Sequence, residues 1–180
     1  MKFRPPQSGF DATDRAILEL LQENCKQPLA SIGSKVGLSA PAVVERIHKL
    51  EEAGVIVSYV ALLDAKRVGK DVTAFIGVSI DHPQGAKKIE GQIVAIADVM
   101  ECHHVTGQHA LIVKAKARDT ETLEELIDEI RCLEGVIRTE TNVVLSTAAE
   151  RPRISLDSTD EFASRPARRS VTGRSRRAAK

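Results

Sequence analysis

At 180 residues, 42% hydrophobic and 28% charged, the chain is long enough for one or two small domains with real cores. Aromatic residues make up only 3%, with no Trp and one Tyr, which excludes recognition of single strands by base stacking. The net charge of +1 hides a division: residues 1–150 carry 17 basic and 22 acidic residues, and residues 151–180 carry nine and three.

No apolar run approaches the ~18 residues of a membrane span, and Met1-Lys-Phe-Arg-Pro-Pro6 lacks an apolar signal core, so the expected location is cytoplasmic. Cys25, Cys102 and Cys132 are too scattered for a disulfide framework or a zinc site, and neither a cofactor nor a metal is expected.

In chain order, residues 1–9 read as a flexible arm. Asp11 caps a helix running to about Asn24, with Ile17, Leu18 and Leu21 at helical spacing. Pro28 opens a short helix, Leu29 to Val36, with Leu29, Ile32 and Val36 inward, and a close helix–helix approach explains Gly33. Gly37-Leu38 then turns into a third helix with Ser39 as N-cap, Pro41 in its first turn and Gly54 as its stop. Val43, Val44, Ile47 and Leu50 form its apolar stripe, and Ala42, Glu45, Arg46 and Lys49 face outward. Two short helices joined by a tight glycine turn, after a supporting helix, make a helix-turn-helix. The candidate DNA-binding residues are Ser39, Pro41, Ala42, Glu45, Arg46 and Lys49. Val55–Leu63 is β-branched and reads as a wing or strand completing a DNA-binding domain over 10–63, with a linker at 64–70.

A second domain spans 71–148. The even-numbered positions of Val72–Ile80 are all apolar, as in a half-buried strand. A helix over 84–96, strands over 99–106 and 110–117, a helix opened by Asp119 and ended by Gly135, and a strand over 136–145 follow. The order βαββαβ predicts an α+β, ferredoxin-like domain with four antiparallel strands and both helices on one face. Phe75, Ile112 and Val144 lie on the uncovered face, which asks for a second copy and hence a homodimer. His103 and His104 alternate in a strand, so they cannot ligate one metal together. Residues 149–180 read as a disordered basic tail, with seven basic residues and no acid from Arg165 to Lys180. Its candidate roles are solubility or weak contact with DNA or RNA.

Phe10-Asp-Ala-Thr-Asp-Arg-Ala-Ile-Leu18, Val36-Gly-Leu-Ser39 and Glu45-Arg-Ile-His-Lys-Leu-Glu-Glu-Ala-Gly-Val-Ile56 resemble the Lrp/AsnC (feast/famine) transcriptional regulators over about residues 10–148. Phe10 replaces the family's usual Leu, and Gly33 its usual Ala. The resemblance implies a non-enzymatic, nucleoid-associated regulator of amino-acid metabolism or transport genes, binding double-stranded palindromes as a dimer that assembles to an octamer. It also implies a small-molecule effector bound by Thr106, Gly107, Gln108 and His109 with the hydroxyls of Thr139 and Thr141. The family commonly carries acids after the glycine of that link, but this chain reads Gly107-Gln-His-Ala110, so a basic amino acid is not expected. Two alternatives are a sirohaem-decarboxylase-like enzyme using His103, His104 and His109, and a chromatin protein that binds DNA without an effector.

Overall fold

The computed structural model describes residues 11–82 and 85–156; the arm at 1–9 and residues 157–180 of the expected tail lie outside the described residues. Two units result, one formed by residues up to Tyr59 together with the segment beginning at Arg151, the other by Val60–Glu150.

In the first unit, α1 is Ala12–Glu23, α2 is Leu29–Val36 and α3 is Ala40–Glu52. Asp11 and Asp14 form a reciprocal capping box at the start of α1: the Asp14 N–H donates to Asp11 at 2.8 Å, and the Asp11 N–H to Asp14 at 3.0 Å. Gly37 ends α2 at φ 71°, a left-handed conformation that glycine adopts without strain. Ile17, Ile32, Val43 and Ile47 meet in the core. The close approach at Gly33 is to a turn rather than a helix: a Cβ there would stand 2.5 Å from the Leu38 carbonyl oxygen. Leu29, expected inward, is exposed.

Two further expectations fail. Val55–Leu63 forms no strand, because among the described residues no neighbouring backbone meets its N–H and C=O groups as a sheet partner. Residues 149–156, assigned to a disordered tail, are instead placed. The Gln22 side chain donates to the Ile154 carbonyl at 3.1 Å and accepts from its N–H at 2.7 Å. A side-chain amide satisfying a backbone leaves no hydrophobic periodicity, so composition does not reveal it.

The second unit contains β1 (Val72–Ile80), α4 (Ala86–Val94), β2 (Val99–His104), β3 (Leu111–Ala117), α5 (Thr120–Arg131) and β4 (Val136–Val143). The strands are antiparallel in the order β2-β3-β1-β4. Ile76 and Val78 of β1 and Leu111, Val113 and Ala115 of β3 pack with Ile89 and Ile93 of α4 and Leu126 and Ile130 of α5. The alternation that buries these residues turns Phe75, Ile112 and Val144 to the other face, as expected. The supposed linker belongs to this unit. Lys66–Val68 is a 3-10 turn closed by Gly69, and Lys70 pairs with Asp98 at 2.5 Å.

Candidate nucleic-acid interface and effector site

Helix α3 is held by one stripe and displayed by another. Val43, Ile47 and Leu50 are buried, while Pro41, Val44, Glu45, His48 and Lys49 are exposed and Ala42 is half-buried. Val44 therefore leaves the apolar stripe and joins the outward face, at the i+3 and i+4 spacing from Pro41 and to His48. The Ser39 hydroxyl accepts from the Ala42 N–H at 3.4 Å, so this exposed serine starts the helix.

Arg46 is not displayed as expected. Its guanidinium donates to Asp11 and to Asp14, both at 2.7 Å, so its charge is spent within the domain. Those bonds raise the Arg46 pKa, Asp14 contributing most, and Asp11 is held below the usual carboxylate range, first by the Asp14 N–H and then by Arg46. Lys49 donates to Glu45 at 2.7 Å and lowers the pKa of that carboxyl. His48 lies 3.6 Å from Glu51 and 3.4 Å from Glu52. The outward face thus offers a methyl-bearing Val44, the imidazole of His48 and a neutralised Lys49–Glu45 pair. It is shaped for base edges but is poor in free positive charge.

On the second unit, the link between β2 and β3 is closed by the Val105 N–H donating to the Ala110 carbonyl at 3.1 Å. Gly107 sits at φ 123°, which disfavours any side chain, and Thr106, Gly107 and Gln108 are exposed. His109 turns onto the open face of the sheet and lies over Gly77. A Cβ at Gly77 would come within 2.5 Å of its ring. The Ser79 hydroxyl is 3.4 Å from Nδ1, and the Glu140 carboxylate is 3.8 Å from Nε2 and 3.5 Å from Arg138.

Thr139 and Thr141 do not join this cluster. They pair with Val78 and Ile76, whose side chains face the helices, whereas Glu140 pairs with Gly77. Directly opposed residues share a face, so both hydroxyls point away from His109. The residues missed are Ser79, Arg138 and Glu140. Gly77, a glycine inside a β-branched strand, is the signal of close approach that points to them. Beside this cluster, Lys114 is clasped by Glu101 and Glu150, and Glu150 also stands 3.5 Å from Lys116. Among the described residues no group of three or more His, Cys, Asp or Glu could hold a metal ion.

Residues 10–51 match the AsnC-type helix-turn-helix domain, and residues 73–154 match the Lrp/AsnC ligand binding domain. The HTH-type transcriptional regulator FL11 of Pyrococcus abyssi is 32% identical over 142 residues, covering 79% of this chain and 93% of that protein. The regulatory protein AsnC of Escherichia coli is 30% identical over 147 residues, covering 79% and 94%. The solved structure of Escherichia coli AsnC superposes with a TM-score of 0.75 at 27% identity, covering 80% of this chain and 97% of that one. A Neisseria meningitidis transcriptional regulator in complex with L-methionine superposes with a TM-score of 0.79 at 26% identity, covering 83% and 98%.

Proposed function

Because the chain belongs to the Lrp/AsnC family of DNA-binding transcriptional regulators, which are not enzymes, we propose that it controls genes of amino-acid metabolism or transport in response to a small amino acid. The observation that carries the reading is α3. Its inner stripe is locked in the core, and its outer stripe presents Pro41, Val44, Glu45, His48 and Lys49. In this reading Ser39, Pro41 and Ala42 begin the helix against the phosphate backbone, and Val44, His48 and Lys49 meet base edges. Arg46 acts through Asp11 and Asp14, as a positioning residue.

A palindromic site needs two copies of α3. The open sheet face, on which Phe75 is exposed and Ile112 and Val144 are half-buried, supports a homodimer. We include further assembly to an octamer in the proposal. Sedimentation of the full chain at micromolar concentration reads both steps, and a monomer would refute them.

The effector site of this reading is the exposed Thr106–Gln108 link with His109 behind it. The link's backbone N–H groups suit a carboxylate, and Glu140 suits an ammonium group. Thr139 and Thr141 have no part in it. Once Glu140 is matched by the α-ammonium and Arg138, a second cation on the ligand has no partner, which favours a neutral side chain. The methionine held by the Neisseria relative supports the same class. Selection of bound duplexes from a random pool tests the central reading: a recovered palindrome supports it, and recovery without sequence preference opposes it.

A further inference from the structure

The DNA-binding unit is short of the charge its task requires. Residues 11–59 hold five basic and seven acidic residues, and of these Arg46 and Lys49 are neutralised by neighbouring carboxylates. Association with a polyanion draws most of its nonspecific strength from cations placed on phosphates. A second source of charge is therefore needed in the same unit.

The segment Arg151–Leu156 supplies the route. Ile154 is held by its backbone, not by burial. Its side chain is 73% exposed, while Gln22 of α1 takes both its N–H and its carbonyl. Arg153 stands 3.7 Å from Glu23 on the same helix. A glutamine amide spanning a backbone N–H and C=O binds as a neighbouring strand would, and it fixes the segment without requiring any particular side chain there.

Resting on the reading of the chain as a DNA-binding regulator, we propose that Gln22 and Glu23 form a docking site for the chain's own C-terminal segment, making residues 157–180 a second, phosphate-binding element of the helix-turn-helix unit. From the anchor at Ile154, Arg165 is 11 residues on and Lys180 is 26. Eleven residues can reach at most about 40 Å, well beyond the roughly 12 Å width of a major groove. The seven basic residues from Arg165 to Lys180, with no acid among them, are thereby kept at high effective concentration beside DNA engaged by α3.

The test is a fluorescence-anisotropy titration of a duplex of unrelated sequence between about 50 and 200 mM salt. It compares the full chain, the chain ending at Leu156, Gln22→Ala, Ile154→Pro, and Gln22→Ala in the shortened chain. Ile154→Pro removes the N–H that Gln22 accepts and so breaks the dock from the other side. Ending the chain at Leu156 should lower the salt slope by about 3 to 6, seven cations at ~0.9 each setting the ceiling. With the tail present, Gln22→Ala and Ile154→Pro should each weaken binding roughly 3- to 10-fold at low salt. In the shortened chain Gln22→Ala should have no effect. An unchanged salt slope on shortening, or an equal effect of Gln22→Ala in both lengths, overturns the proposal. If no variant binds any duplex, the regulator reading falls and takes this proposal with it.

Discussion

Arg46 of α3 donates to Asp14 of α1 at 2.7 Å, and the same guanidinium nitrogen reaches Asp11 at the same distance. The two aspartates are also the capping box of α1, so one arginine ties the displayed helix to the first turn of its support. Removing it should disturb how α3 is held rather than what it reads. We expect Arg46→Ala to lower the Tm of the chain by a few degrees and to weaken specific and nonspecific DNA binding in parallel. A melting curve paired with gel-shift titrations checks this. Loss of specific binding alone, at unchanged Tm, would return Arg46 to the base-reading set.

The Arg46–Asp11 contact has a pH signature. Asp11 is depressed below its ordinary 3.8, chiefly by the Asp14 N–H and then by Arg46. Between the two values the unfolded chain binds more protons than the native one, so stability rises with pH there. The contribution is complete above the unfolded value and is lost as the pH falls through the native one. In Arg46→Ala the cap bond remains and the arginine's share is gone. Thermal melts between about pH 5 and pH 2 should show a shallower acid limb for the variant. Parallel limbs would mean that the cap alone depresses Asp11.

Gly77 is reserved for the ring of His109. A methyl group there would meet three ring atoms within 2.7 Å. Gly77→Ala should cost roughly 1–3 kcal/mol, as overpacking does. His109→Ala should relieve much of that cost in the double variant, because the two changes touch the same space. Denaturant unfolding of the four members of the cycle gives the coupling, and simple additivity would place the ring elsewhere.

For the effector, a thermal-shift screen should show stabilisation by neutral amino acids, methionine among them, at concentrations above their Kd. Glu140→Gln should lose the shift, and Thr141→Val should keep it. A shift that depends on Thr141 but not on Glu140 would restore the helix-facing hydroxyls to the site, and a strong shift with lysine or arginine would overturn the ligand class.

Much of this architecture is readable in the residues themselves, because caps and apolar spacing are local. Asp11, Ser39 and Asp119 each start the helix that their side chains suit them to cap, and the even positions of β1 face the core. The differences come from relations between elements. Thr139 and Thr141 are expected beside the β2–β3 link, yet a one-residue parity relative to β1 puts them on the face opposite His109, and Glu140 stands on the His109 face. Val44 falls at the edge of the apolar stripe, where about 100° per residue leaves its side undecided until the supporting helices are in place. The Gln22–Ile154 pairing joins positions 132 residues apart through a backbone, which no local pattern encodes.

The central claim is that α3 reads DNA through its outer stripe. Its most direct measurement is the affinity of the wild type, Val44→Asp and His48→Ala for a duplex recovered by selection from a random pool, with an unrelated duplex as reference. We expect each substitution to cost the selected duplex roughly 1–3 kcal/mol, to leave binding of the unrelated duplex nearly unchanged for His48→Ala, and to leave the Tm of both variants within a degree or so of wild type. Wild-type affinity for the selected duplex in both variants would contradict the account.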